Sequence, residues 1–199
     1  MNDLFLKLTS NFKIDLNLEE MFEIFTNEYI VKPTDGPGFI YRIEESSKVY
    51  WQTYLNGTAF SRGFYLAFPE ETKQIISQIQ ELQKNTLDNG SELIKRFKED
   101  VIDPRGICLI RIKAGTNAEP HIDGNRSVAL NIGIRNSNTR ETIISEDTNI
   151  KNFWRSNKHT FRMEDGDAYL INTSYPHAVK TTVNSERINA RYLLTYSIK

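Results

Sequence analysis

The sequence predicts an antiparallel β-sandwich covered by helices and folded as one domain. Three observations carry that expectation. Short β-branched or aromatic runs follow one another through the second half at a roughly 8–12-residue rhythm. Amphipathic stretches of helical period occupy much of the first half. No internal repeat or low-complexity linker divides the two, so 1–199 reads as a single domain, helix-rich over 1–103 and strand-rich over 104–199.

In chain order, Leu16, Leu18, Met21, Phe22 and Phe25 recur at helical spacing, with Asn17 as N-cap and Glu19 and Glu20 in the first turn. Lys32 to Gly38 reads as a loop, and Tyr41–Ile43 and Lys48–Leu55 as short strands. A second helix is expected from Pro69 to Leu87. Pro69 suits its first position, Glu70 and Glu71 suit the positive end of its dipole, and Ile75, Ile76, Ile79 and Leu82 form its stripe. Asn89-Gly90 breaks it, and Ser91–Val101 reads as a third helix. After Asp103-Pro104 the expected strands are Ile107–Ile112, Ser127–Ile134, Thr142–Ser145, Thr160–Met163, Ala168–Ile171, Ala178–Thr182 and Ile188–Ile198. Glu146–Lys158 is the longest irregular segment. Its Phe153 and Trp154 suit either a lid or a hydrophobic anchor.

Composition narrows the function. With 199 residues, 39% of them apolar, a sizeable core is expected. The 25 basic and 26 acidic residues nearly cancel, which removes the usual charge argument for nucleic acid or an anionic membrane as partner. The single cysteine, Cys108, excludes a disulfide framework or a cysteine-rich zinc site and reads as packing in its strand. The start of the chain lacks a basic segment followed by an apolar run, and no window suits a membrane span. A cytoplasmic protein is expected.

The three histidines carry the functional signal. His121-Ile122-Asp123 follows Pro120 at a strand edge, and His177 lies 54 residues beyond Asp123 in Ser174-Tyr175-Pro176-His177. Two imidazoles and one carboxylate occupy one face of an octahedral Fe(II) and leave adjacent positions open. His-x-Asp puts both ligands on one side of an extended segment, and a neighbouring strand supplies the third. Arg187, ten residues past His177, offers a planar fork for a carboxylate. Arg191 shares its face on an extended strand; the offset favours Arg187 and leaves Arg191 as a second pocket charge, a substrate contact or a salt-bridge partner.

Other residues have two readings each. Asn131, polar inside an apolar run, is expected in the pocket. Arg126 suits a clamp on a substrate carboxylate or a solvated loop. Trp51 and Tyr54 read as core aromatics or as substrate contacts. His159 has no companion at metal spacing and reads as structural or at most pocket-lining.

Pro120-His121-Ile122-Asp123, the run Gly166-Asp167-Ala168-Tyr169-Leu170-Ile171-Asn172-Thr173-Ser174-Tyr175-Pro176-His177-Ala178-Val179, and Arg187 together resemble the iron(II)/2-oxoglutarate-dependent oxygenases. The resemblance covers about Ile107 to Ile198 and is nearest to the aspartyl/asparaginyl β-hydroxylase-like branch, which includes hydroxylases of free proline. Val49-Tyr50-Trp51-Gln52-Thr53-Tyr54-Leu55 resembles the tryptophan-bearing strand before the core of that branch. Where the branch carries an arginine and a histidine after the first ligands, this chain has Ala129-Leu130-Asn131-Ile132-Gly133-Ile134. Asn131 can replace the histidine's hydrogen bond; the arginine has no counterpart.

The resemblance implies a double-stranded β-helix, a jelly roll of cupin type. It implies Fe(II) on His121, Asp123 and His177, the cosubstrate 2-oxoglutarate on Arg187 with Asn131 nearby, and O₂ as oxidant. Hydroxylation of an amino acid, peptide side chain or small metabolite is the activity implied. Two alternatives stay open: a non-catalytic jelly roll that binds a small acid, and a cupin-like metalloenzyme using Zn or Mn without 2-oxoglutarate.

Overall fold

The computed structural model describes residues 3–18, 21, 32–33, 39–42, 50–54, 57–61, 64–112, 117–124, 126–182 and 190–199, with backbone alone for 32–33, 39–42, 50–54, 57–61 and 66–67. Its strands are β1 (Phe5–Thr9), β2 (Lys32–Pro33), β3 (Phe39–Arg42), β4 (Tyr50–Tyr54), β5 (Gly57–Ser61), β6 (Ile107–Ile112), β7 (Ala118–His121), β8 (Val128–Arg135), β9 (Arg140–Ser145), β10 (Lys158–Arg162), β11 (Ala168–Asn172), β12 (His177–Thr181) and β13 (Arg191–Ile198). Three helices, α1 (Phe64–Ala67), α2 (Pro69–Asn85) and α3 (Glu92–Glu99), lie between β5 and β6.

The strands form two sheets. The larger runs β1-β11-β8-β13-β6-β5-β4-β3-β2 and the smaller β10-β9-β12-β7. Every pairing is antiparallel. Strands β6, β8, β11 and β13 form one wall of a double-stranded β-helix, and the smaller sheet forms the other.

Both faces of β8, β11 and β13 are covered, so these strands read as near-continuous apolar runs. On one face Val128, Leu130 and Ile132 of β8 and Leu194, Tyr196 and Ile198 of β13 join Ile75 and Ile79 of α2 and Leu93, Ile94 and Phe97 of α3 in the main core. Pro69 opens α2, and Glu70 and Glu71 sit in its first turn, as expected. On the other face, Leu193 of β13 and Tyr169 and Ile171 of β11 meet Ile144 of β9 and Phe161 of β10 between the sheets. Phe5, Phe161 and Tyr169 stack there, with ring centroids 4.4 Å apart for the first pair and 4.5 Å for the second.

The described residues of the first part carry more strand than their pattern predicts. Phe5–Thr9 forms an edge strand on β11, and Gly57–Ser61 bridges β4 and β6; neither is evident in the sequence. Lys32–Pro33, expected in a loop, pairs with β3. A helical turn begins at Leu18, where the Met21 N–H donates to the Asn17 carbonyl at 3.0 Å; the rest of that expected helix lies outside the described residues.

In the Glu146–Lys158 segment, Phe153 is buried against Ile143 and Ala178 on the outer face of the smaller sheet. It is an anchor. Trp154 is 52% exposed and lies under the Lys180 ammonium, 4.3 Å from its ring centroid. Among the described residues no helix is long and apolar enough to cross a membrane.

Candidate metal centre

His121 ends β7 and His177 opens β12, and the two residues face each other directly in the ladder between those strands. Their ring centroids are 4.3 Å apart. Asp123, two residues past His121, brings its Oδ1 to 3.8 Å from the His121 Nε2 and 3.9 Å from the His177 Nε2. One ligand atom from each residue thus lies within 4.8 Å of the other two.

Hydrogen bonding fixes which atoms face inward. The His121 Nδ1 lies 2.8 Å from the Glu119 carbonyl, and the His177 Nδ1 lies 3.0 Å from the Tyr175 carbonyl. A carbonyl accepts only, so each Nδ1 carries the proton and each Nε2 presents a lone pair. Burial, and then the neighbouring His121, lower the His177 pKa, which keeps that ring neutral at neutral pH. Three acceptors therefore converge with no donor between them. A divalent cation satisfies such a set, and backbone carbonyls behind ligating histidines orient the rings as metal sites require.

Thr173, in the turn between β11 and β12, joins the two ligand-bearing segments. Its carbonyl accepts from the Asp123 N–H at 3.3 Å, its N–H donates to the Ser127 carbonyl at 2.9 Å, and its Oγ1 donates to the Arg126 carbonyl at 3.1 Å. The Arg126 side chain reaches from this loop to the far wall. Its Nε donates to Asp123 Oδ2 at 2.7 Å, and its Nη1 donates to Thr195 Oγ1 at 2.9 Å and Ser197 Oγ at 3.4 Å.

Further along the inter-sheet space lie Arg191 and Arg140. Arg191 has the same strand parity as Leu193 and Thr195, is 2% exposed, and donates through Nη2 to the Met163 sulfur at 3.5 Å. Its Nε has no hydrogen-bond partner among the described residues. Burial, then Arg140, lower its pKa to about 10. Arg140 opens β9 at the parity of Ile144, donates through Nη1 to Thr181 Oγ1 at 3.2 Å, and is likewise lowered by burial. Asn131 stands between Tyr169 and Thr195 in the larger sheet, and its Oδ1 is buried without a partner among the described residues. Burial pushes the Cys108 thiol, across the ladder from Thr195, up to about 12, so it offers no thiolate.

Of the predicted site residues, His121, Asp123 and His177 come together, Arg126 joins them through Asp123, and Asn131 and Arg191 line the space between the sheets. Arg187 lies outside the described residues, as do the side chains of Trp51 and Tyr54, whose backbone belongs to β4. His159 pairs with Glu146 at 2.6 Å on the exposed rim of β10. Sequence reasoning missed Thr173 and Arg140. The signal for Arg140 was available, because it stands at the inward parity of a buried strand.

No protein-family model and no curated protein matches this chain. Solved structures do. The non-heme α-ketoglutarate-dependent epimerase SnoN from nogalamycin biosynthesis superposes with a TM-score of 0.55 at 9% identity, over 99% of this chain and 77% of SnoN. YcfD, a ribosomal oxygenase from Escherichia coli, gives 0.56 at 14% identity over 98% of this chain, which spans 47% of YcfD. An oxidoreductase of the 2OG-Fe(II) oxygenase family from Burkholderia pseudomallei gives 0.50 at 14% identity, over 98% of this chain and 84% of that one. These likenesses establish the fold, a double-stranded β-helix shared with such oxygenases.

Proposed function

We propose that this protein is an Fe(II)- and 2-oxoglutarate-dependent oxygenase that hydroxylates an amino acid, a peptide side chain or a small metabolite. One observation carries the reading: two Nε2 lone pairs and a carboxylate oxygen within 4.8 Å of one another, in a fold shared with such enzymes. Fe(II) held there supplies O₂ activation, in which 2-oxoglutarate and O₂ become succinate and CO₂ while one oxygen atom enters a substrate C–H bond.

The chain's own residues do the rest. The carbonyl contacts of His121 and His177 set the tautomer that turns each Nε2 inward, and burial lowers the His177 pKa and favours its neutral ring. Arg191 is the anchor we assign to the distal carboxylate of 2-oxoglutarate, because it is a desolvated guanidinium between the sheets with an Nε lacking a partner among the described residues. Thr195, bonded to Arg126 at the metal end, lies four residues along β13, roughly 13 Å at strand rise. An arginine stem and a five-carbon diacid together cover that span. Arg187 is the other candidate for this anchor. Asn131 supports the reading as a second polar group between the sheets.

The test is spectroscopic. Anaerobic addition of Fe(II) and 2-oxoglutarate should produce a visible charge-transfer band, and O₂ should then release succinate. His177→Ala should lose both while keeping its far-ultraviolet circular dichroism. Metal uptake with no such band and no succinate would rule out 2-oxoglutarate use and leave a cupin-like metal site.

A further inference from the structure

The two oxygens of Asp123 have different partners, and the difference has a chemical consequence. Oδ1 faces the Nε2 atoms of His121 and His177 at 3.8 and 3.9 Å. Oδ2 accepts the Arg126 Nε at 2.7 Å, with the two side chains only 15% and 18% exposed. Thr195 and Ser197 of β13 hold the guanidinium from its far end, and Thr173 holds the Arg126 carbonyl. The guanidinium therefore cannot swing away from Asp123 without also breaking its bonds to β13.

We infer that Arg126 is a positioning residue that restricts Asp123 to binding a metal through one oxygen. The inference rests on the reading of the triad as a metal site. A carboxylate left to itself binds a divalent ion through one oxygen or through both. With both, it consumes a coordination position that the facial arrangement leaves open for other ligands. Arg126 prevents this in two ways. It occupies one lone pair of Oδ2 with a charge-assisted hydrogen bond, and it draws negative charge away from the carboxylate. Its own positive charge also repels an approaching cation, so Arg126 holds the carboxylate in place at some expense of metal affinity.

That trade separates positioning from simple ordering of the loop. If Arg126 only ordered the loop, its removal would lower metal affinity by about tenfold or more, as loss of a group supporting a metal ligand usually does. If it restricts Asp123 to one oxygen, removal frees Oδ2 to chelate. Affinity is then kept or raised, and the ion loses a water.

The experiment uses Mn(II), with affinity from titration of the free-ion resonance and bound waters from proton relaxation. Arg126→Gln should bind Mn(II) within about threefold of wild type or more tightly, with roughly one exchangeable water fewer. Arg126→Lys, which keeps a donor beside Oδ2, should recover most of that water. Thr195→Val leaves Arg126 in place but removes its buttress; it should show an intermediate water count and carries the test if Arg126→Gln fails to fold. An unchanged water count in both Arg126→Gln and Thr195→Val, or an affinity loss of about tenfold with a full count, would overturn the inference while leaving the metal site intact. Failure of the wild type to take up Mn(II) would remove the metal reading and this inference together.

Discussion

Replacing Arg191 with methionine should make the ligand-free protein more stable and deprive it of its cosubstrate. The guanidinium is 2% exposed, and burial lowers it from the ordinary 12.5 to about 10. A change of that size corresponds to about 3 kcal/mol of disfavour for the charged form. Solvent screens little of it at this depth. The sign follows from linkage: a base whose folded pKa is lowered is penalised wherever it is protonated. The cost is thus fully present at neutral pH and fades only as pH rises through about 10.

Methionine fills the space of the arginine stem with an adaptable apolar chain and carries no charge. Arg191→Met should therefore raise the unfolding free energy by about 1–3 kcal/mol at pH 7 without ligand. Wild type should gain about 2.7 kcal/mol at a hundredfold excess of 2-oxoglutarate over its Kd, with Mn(II) present, and the variant should gain none. Urea unfolding with and without Mn(II) and 2-oxoglutarate measures both effects. The reasoning fails if Arg191→Met is destabilised by more than about 1 kcal/mol and still gains stability from 2-oxoglutarate. In that case the arginine holds the walls together and the anchor lies elsewhere, with Arg187 next in line.

Three further outcomes are expected. Thr173→Val keeps the shape of a side chain 2% exposed but removes the donor to the Arg126 carbonyl; it should cost about 1–3 kcal/mol in urea unfolding and weaken Mn(II) binding, whereas an unchanged affinity would show that Thr173 does not align the ligands. Phe153→Ala should cost about 3 kcal/mol by emptying the cluster with Ile143 and Ala178, yet leave Mn(II) affinity as in wild type; a large affinity loss would make the segment part of the site instead. The Asp103 carboxyl is held well below its ordinary range, first by the Arg105 guanidinium and then by Lys199. A depressed acid stabilises the fold above its unfolded pKa and ceases to as pH falls, so Asp103→Asn should cost about 1 kcal/mol at pH 7. That difference should begin to narrow as pH falls below about 4 and close only as pH falls through the carboxyl's depressed folded range, so a difference unchanged between pH 5 and pH 2 would assign the effect to packing.

The sequence made the second half legible because its strands are bounded by turn residues and carry β-branched and aromatic runs. Ile107–Ile112 forms as expected, and β8 through β12 depart from expectation by a few residues at most. The first half was harder for physical reasons. Lys7 interrupts the apolar pattern of β1; it turns toward the buried Asp167 at 2.7 Å, a partner 160 residues away. Gly57–Ser61 has little strand propensity of its own and is a strand because β4 and β6 flank it. The two histidines and Asp123 could be read from spacing. The bond from Arg126 to Thr195 could not, since it joins residues 69 positions apart on elements whose register only the fold sets.

The place of β13 bears on how the chain reaches its native state. It is the last of the described strands in sequence, yet it lies between β8 and β6 in the middle of the larger sheet. Until it emerges during synthesis, β6 and β8 each present an open edge, and the apolar strips of both wait without the wall that joins them. The helices depend on it too, because Ile75 and Ile79 of α2 and Leu93, Ile94 and Phe97 of α3 pack in one core with Leu194, Tyr196 and Ile198 of β13. Pairings this distant in sequence close late and slowly. A chain still lacking β13 therefore exposes the edges of β6 and β8, the kind of open edge at which neighbouring chains pair.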